Sequence, residues 1–264
     1  MIVDGRAIAQ EILARAKTRA DKLARPPLVV ALVASDTPVT RSYLAIKAKR
    51  ATDAGCTFET RALRANFDDA DAVIVQLPVP MGMNQKEICD TIPVSKDADV
   101  LSSVARAEFE MKGLRNLSLL PPVVGAVREI FLQNNVNSKG KKAVVIGSGW
   151  LVGDPCAKWL KQQGADVSVL TSKSDNLSEA LADADIIISG TGSPHLVKPD
   201  MLKEGVVLID AGTSESSGVL VGDADPSCAA KCSLFTPVPG GIGPLAVACL
   251  FSNVVTLAER AMNS

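Results

Sequence analysis

Five short apolar runs in the second half of the chain, KAVVIG, DVSVL, DIIISG, VVLIDAG and CSLFTPV, are separated by helical patterns or loops of the length a parallel crossover sheet needs. That spacing predicts a Rossmann-like unit. The first run leads into VVIGSGWLVGDP, where Gly147, Gly149 and Gly153 follow the strand and precede a helix expected to begin near Asp154 or Pro155. Glycines at this GxGxxxG spacing let a turn close tightly and let backbone approach a pyrophosphate, whose charge is favoured at a helix N-terminus. A tight turn alone accounts for the same glycines. About 20 residues further on, where an NAD site usually offers a carboxylate to the ribose hydroxyls, DVSVL runs into Thr171, Ser172 and Lys173. A hydroxyl and a cation suit a 2′-phosphate, so the local chemistry leans to NADP, with NAD kept open and a solvated loop as the alternative explanation.

The first half also alternates helix and strand. The pattern predicts a helix from about Gly5 to Leu23, a strand in LVVALVA, a helix from about Thr40 to Ala54, strands in CTFETRAL and DAVIVQLPV, and a short helix from about Asn84. The irregular stretch IPVSKDADVLSS follows, Pro121 and Pro122 open a helix through about Leu132, and the polar NNVNSKGKK looks like a link to the second unit. The final segment, PLAVACLFSNVVTLAERAMN, has apolar residues at helical spacing interrupted by Ser252 and Asn253, as expected of a packed helix that could return to the first domain. The fold class is α/β.

Composition removes several function classes. A chain of 264 residues with a formal net charge of -1 and no Lys/Arg cluster has no basic field for nucleic acid. Its start has no apolar targeting core, and no apolar run reads as a membrane span, so a cytoplasmic protein is expected. Six scattered cysteines without a CxxC pair read as reduced core thiols, and a single histidine, His195, excludes a multi-histidine metal site; no metal is expected.

Proton chemistry then falls to Lys, Tyr, Asp or Glu. Tyr43 and Lys47 lie one helical turn apart in RSYLAIKAKR and share a face, as a catalytic pair or as a partly exposed packing pair. Gln76 interrupts a buried strand end in VIVQLP; its amide needs partners and could orient a lysine ammonium, although structural satisfaction also explains it. Asp99, in KDADVL, could accept hydrogen bonds from an aminopyrimidine-like edge, and Asp97 is its rival. The spacing does not choose between them. Late in the chain, TPVPGGIGP forms a rigid turn before the last helix, either a close backbone approach to a ligand or a connection between domains.

Taken in order, DG near the start, YxxxK, VQLP, KDxD, GxxxxVGxP, IDxG, VGD and TPVPGGxGP resemble the bifunctional methylenetetrahydrofolate dehydrogenase/cyclohydrolase family across essentially the whole chain. The resemblance implies an N-terminal α/β folate domain (1–120) completed by the C-terminal helix (245–264), a Rossmann-like NAD(P)-binding domain with its linking helix (121–244), and an active site in the cleft between them. By the same resemblance Lys47 matches the catalytic lysine, Tyr43 the tyrosine that packs on folate, Gln76 the glutamine that holds the lysine, and Asp99 the aspartate that grips the pterin. Leu77, Pro78, Pro239, Gly240 and Gly241 match folate-binding segments, the late turn lying near the nicotinamide too. Gly147, Ser148, Gly149, Val152, Gly153, Ser172 and Lys173 match the cofactor site.

The activity implied is oxidation of 5,10-methylenetetrahydrofolate by NADP, then hydrolysis to 10-formyltetrahydrofolate, in a homodimer serving one-carbon metabolism and purine biosynthesis. Several positions depart from the family pattern. The segment before Gln76 is about one helix short, which would leave part of the folate cleft open. Ser148 and Gly149 stand where Arg then Ser is usual, Val100 replaces a glycine after Asp99, the usual Thr-Pro before the linking helix is absent, and Ala246 replaces a threonine. A differently shaped Asp99 loop is therefore expected. The alternatives are a monofunctional or NAD-preferring dehydrogenase and a non-catalytic folate-binding descendant.

Overall fold

A computed structural model describes residues 1–111, 119–216 and 219–262. The chain divides into two compact units, one of Ala9–Pro122 with Val247–Ser264 and the other of Met1–Ile8 with Val123–Ala246.

The first of these holds a three-stranded parallel sheet. Its elements are most of α1 (Gly5–Ala20), then β1 (Leu28–Val33), α2 (Pro38–Asp53), β2 (Thr57–Ala62), β3 (Ala72–Val75), α3 (Gln85–Asp90) and α4 (Ser103–Glu110), in the strand order β2-β1-β3. Central β1 is apolar without alternation because both its faces are covered, and Val29, Val30, Ala31 and Leu32 are all buried. Edge strand β2 is mostly exposed and carries Glu59 and Arg61. The chain returns from β2 to β3 through residues 63–71 without a helix, which is where it is shorter than its resemblance implies. Side chains hold this short crossover: Arg61 donates to Asp69, Glu59 and the Asn66 carbonyl, and Lys96 donates to the carbonyls of Phe67 and Asp68. Charges along an edge also discourage pairing with another chain.

Helix α2 starts where Thr37 accepts from the Thr40 amide at 3.1 Å and Pro38 takes the first turn, two positions before the predicted start. Helix α4 was not anticipated; Ser102 caps it by accepting from the Ala105 amide.

The other unit holds a five-stranded parallel sheet. After α5 (Pro122–Gln133) come β4 (Lys142–Ile146), α6 (Gly153–Gln162), β5 (Asp166–Leu170), α7 (Leu177–Ala182), β6 (Ile186–Ser189), β7 (Val206–Asp210), the hairpin strands β8 (Ser214–Ser216) and β9 (Val219–Val221), and β10 (Cys232–Phe235). The order is β10-β7-β6-β4-β5. The five predicted apolar runs are these five strands; the β8–β9 hairpin was not anticipated, its strands being too short to show a period. Strand order reverses at β4, so a switch point opens outside the carboxyl ends of β4 and β6, where α/β sheets bind ligands.

One expectation is corrected here. The polar NNVNSKGKK joins α5 to β4 inside the five-stranded unit and is no link between units. Residues 1–8 pack on the five-stranded unit: Ile2 bridges Phe235, whose amide donates to the Met1 carbonyl at 2.9 Å while its carbonyl accepts from the Val3 amide at 2.9 Å. This pairing also covers the β10 edge.

The last helix, α8 (Ile242–Met262), belongs from Val247 onward to the three-stranded unit. By length and composition it is apolar enough to cross a membrane, yet half of that stretch is buried, with Phe251, Val254, Val255 and Ala258 fully so, as in a core helix. Arg19 of α1 donates to Glu259 and Thr256. The polar break at Asn253 has a purpose: its amide donates to the carbonyls of Ala98 and Leu120, both at 2.9 Å. Asn253→Ala leaves both carbonyls without this donor, and the three-stranded unit should lose about 1–2 kcal/mol, read from its urea midpoint; an unchanged midpoint would show the bonds to be dispensable.

Candidate active site and cofactor turn

Within the three-stranded unit the fold brings Lys47, Gln76 and Asp99 together. Gln76 leaves β3 with its backbone amide donating to the Leu32 carbonyl, so the strand pairing sets where its side chain starts. That side chain donates from Nε2 to the Leu77 carbonyl at 2.7 Å, which turns Oε1 toward α2, and there Lys47 Nζ donates to it at 3.0 Å. An amide oriented in this way can only accept from the lysine. Burial holds the Lys47 ammonium below its ordinary range, with the charge of Asp99 pulling the other way. The Asp99 carboxyl is pushed up to about 6, chiefly by burial, with Lys47 opposing the rise and Asp97 adding to it. Tyr43, one turn before Lys47, is half exposed. The Leu77–Pro78 bond beside Gln76 is cis.

The structure separates the two aspartates that spacing could not. Asp97 is buried and spends its carboxylate on the amides of Leu101 at 2.9 Å and Ser102 at 2.7 Å, holding the loop from within. Asp99 is the carboxyl that faces the lysine. Val100, directly after Asp99, adopts φ 57, the left-handed backbone that a glycine takes without strain. The valine holds this backbone at a strain of roughly 1–2 kcal/mol that the surrounding bonds must offset. Asp90 helps, accepting from the Ser103 amide at 2.6 Å and its hydroxyl at 3.0 Å.

In the five-stranded unit the glycine turn leaves β4 at Gly147, with φ 97. A Cβ there would lie 3.0 Å from the Gly190 carbonyl oxygen, and one at Gly153 would lie 2.0 Å from the Gly147 oxygen, so both positions exclude a side chain. Gly149 faces open space, with nothing within 4 Å of an added Cβ. Helix α6 begins at Gly153, and Val152 before it gives no side-chain cap. An uncapped helix start behind an open glycine fits a pyrophosphate. Ser148 lies in the same turn. The Gly147 amide donates to the Leu170 carbonyl at 2.7 Å, so the exit of β5 lies beside the turn and brings the exposed Thr171, Ser172 and Lys173 with it. Hydroxyls and an ammonium at that place fit a 2′-phosphate better than a bare ribose.

The late turn follows β10. Val238–Pro239 is cis, Gly240 has φ 108, and the Gly241 amide donates to the Pro237 carbonyl at 2.8 Å. A Cβ on Gly5 would lie 2.0 Å from the Gly241 oxygen, which accounts for the DG signal near the start of the chain. Sequence reasoning missed Gly190, whose added Cβ would lie 2.4 Å from Val152. Its only trace was the small-residue run SGTGS after β6.

A glycine turn at the switch point of a parallel sheet, together with a desolvated lysine held by an amide near a carboxyl, defines a two-unit α/β enzyme of the nicotinamide-dependent class. The catalytic domain described as tetrahydrofolate dehydrogenase/cyclohydrolase matches residues 3–99, and the NAD(P)-binding domain of the same description matches residues 121–262. The chain belongs to the tetrahydrofolate dehydrogenase/cyclohydrolase family. It is 34% identical over 98% of its length to the bifunctional protein FolD of Thermotoga maritima, 99% of which is covered. It is also similar to the crystal structure of bifunctional FolD from Campylobacter jejuni (TM-score 0.93, 29% identity, 99% of each chain). A second similar structure is the Trypanosoma brucei enzyme complexed with NADP and an inhibitor (TM-score 0.91, 27% identity, 100% of this chain and 99% of that one).

Asp97→Ala removes the acceptor for two buried amides, so residues 97–103 should exchange their amide hydrogens faster and stability should fall by about 1–3 kcal/mol. Unchanged protection in that segment would return Asp97 to the role of a bystander.

Proposed function

We propose that the chain oxidises 5,10-methylenetetrahydrofolate to the 5,10-methenyl form with NADP and hydrolyses that product to 10-formyltetrahydrofolate. The observation that carries this reading is the 3.0 Å bond from Lys47 Nζ to Gln76 Oε1 next to the Asp99 carboxyl. Asp99 accepts from the pterin's amino edge, Tyr43 packs on the folate ring system, and Leu77 and Pro78 line the same end. Pro239, Gly240 and Gly241 offer backbone at the carboxyl edge of the five-stranded sheet. Gly147, Ser148, Gly149, Val152 and Gly153 hold the pyrophosphate, and Ser172 and Lys173 the 2′-phosphate. NADP, when bound, supplies the hydride acceptor.

The hydride step needs positioning, which these contacts provide. Hydrolysis needs a base. Lys47, its ammonium weakened by burial, takes a proton from water as the oxygen bonds to the methenyl carbon. It returns that proton to N5 as the carbon–N5 bond breaks, while the remaining hydroxyl proton is released to solvent as the C=O forms, leaving the formyl group on N10. Gln76 keeps the amine aimed throughout. Ser148 gives the turn no cation where the resemblance expects arginine, and this favours a second reading in which NAD serves as well. By the same resemblance the enzyme is a cytoplasmic homodimer.

Turnover of 5,10-methylenetetrahydrofolate with NADP or NAD, following reduced nicotinamide, methenyl and formyl products separately, tests the proposal. Formyl product formed with NADP supports it; no turnover with either nucleotide leaves a folate-binding descendant. Lys47→Met should slow methenyl hydrolysis by about 10²–10⁴-fold in a protein with native circular dichroism, and unchanged hydrolysis removes Lys47 from the mechanism.

Asp99 also sets a pH dependence. Its carboxyl is ionised above about 6 and accepts from the pterin only in that form, so folate KM should be flat above that pH and rise roughly tenfold per unit below it. A folate KM constant down to about one unit below that pKa would show that Asp99 does not grip the pterin.

A further inference from the structure

Two aspartates singled out by the motifs IDxG and VGD have no part in the chemistry above. Asp210 ends β7 and Asp223 follows β9, and both side chains are buried. Asp210 accepts from the amides of Gly212 at 3.0 Å, Asp223 at 3.2 Å and Ala224 at 2.9 Å. Asp223 accepts from the Ser189 hydroxyl at 2.6 Å and from the amides of Thr191 at 2.7 Å and Ser193 at 2.9 Å. The glycines of the two motifs make room for these carboxylates reciprocally. An added Cβ at Gly212 would lie 2.1 Å from the Asp223 carboxylate carbon, and one at Gly222 would lie 2.0 Å from an Asp210 oxygen.

The segment that Asp223 grips, residues 189–193, runs out of β6 directly onto the glycine turn. Gly190 packs against Val152, and its carbonyl oxygen closes over Gly147. The contact is close, because a Cβ added at Gly190 would overlap Val152 at 2.4 Å and one at Gly147 would lie 3.0 Å from the Gly190 oxygen. Any shift of residues 189–193 must therefore move the turn and the start of α6.

We propose that Asp223 is a positioning residue for the nicotinamide cofactor: it fixes residues 189–193 as the wall against which Gly147 and Val152 form the pyrophosphate turn, while Asp210 fixes Asp223. This rests on the reading that the turn holds NADP. The carboxylate is required because one hydroxyl and two amides converge on its two oxygens. An asparagine keeps one acceptor oxygen and turns an NH2 toward a remaining donor. The contribution is to binding geometry, so it belongs in cofactor affinity and not in the chemical step at saturation.

The test is calorimetric titration of NADP into wild type, Asp223→Asn and Ser189→Ala, with circular dichroism as the report on folding and the dehydrogenase KM for NADP and kcat measured alongside. The Kd for NADP should rise about tenfold or more in Asp223→Asn and about threefold in Ser189→Ala. The KM for NADP should follow, while kcat at saturating NADP stays within about threefold. If Asp223→Asn does not fold, Ser189→Ala decides, since it removes one hydroxyl from a site that keeps both amide donors. Wild-type affinity in the folded variants overturns the proposal, as does a fall in kcat without a change in Kd or KM. A wild type that binds no NADP overturns the cofactor reading itself, an outcome distinct from wild-type binding that the variants share.

Discussion

Holding an ammonium away from water beside one amide oxygen is unfavourable unless every group around it is fixed, and much of the three-stranded unit serves that requirement. Gln76 cannot turn its amide, because the Leu77 carbonyl takes its NH2 and the β1–β3 pairing fixes its backbone. The carboxyl opposite sits on a loop that would otherwise move, and Asp97, Asp90 and Asn253 each tie a different point of it. Burial among these groups lowers the lysine's pKa, with the Asp99 charge opposing the fall. In water the same amine would hold its proton too firmly to act as a base near neutral pH.

Both units solve the same local problem in the same way. Loops at the carboxyl ends of parallel strands have amides with no ladder partner, and here buried carboxylates collect them: Asp97 in one unit, Asp210 and Asp223 in the other. A carboxylate that accepts two or three such bonds is tolerated without a basic partner, because the amide dipoles supply the positive potential. Close packing does the rest, and the glycines lie where these side chains and carbonyls leave no space for another atom.

Much of this was legible in the sequence because it is local. The five strands of the larger sheet, the glycine turn, the Tyr43–Lys47 face and the strand ending at Gln76 all follow from period and spacing within a few residues. What was hidden depends on partners far along the chain. Nothing near Ile2 announces its pairing with Phe235, 233 residues later. Asp97 and Asp99 are two residues apart on one loop, and only the positions of the Leu101 and Ser102 amides distinguish them. Val100 holds a conformation that its side chain disfavours. A β-branched side chain argues against a left-handed backbone, but the bonds on either side of it prevail over its preference.

Asn253 gives the molecule an order of assembly. The helix that carries it follows every strand among the described residues, yet its amide ties down the carbonyl next to Asp99, and Glu259 a turn and a half later anchors the same helix to Arg19. During synthesis the larger sheet can form while the lysine site is still unfinished. A chain lacking this helix would keep the glycine turn but carry a carboxyl loop without the Asn253 donor.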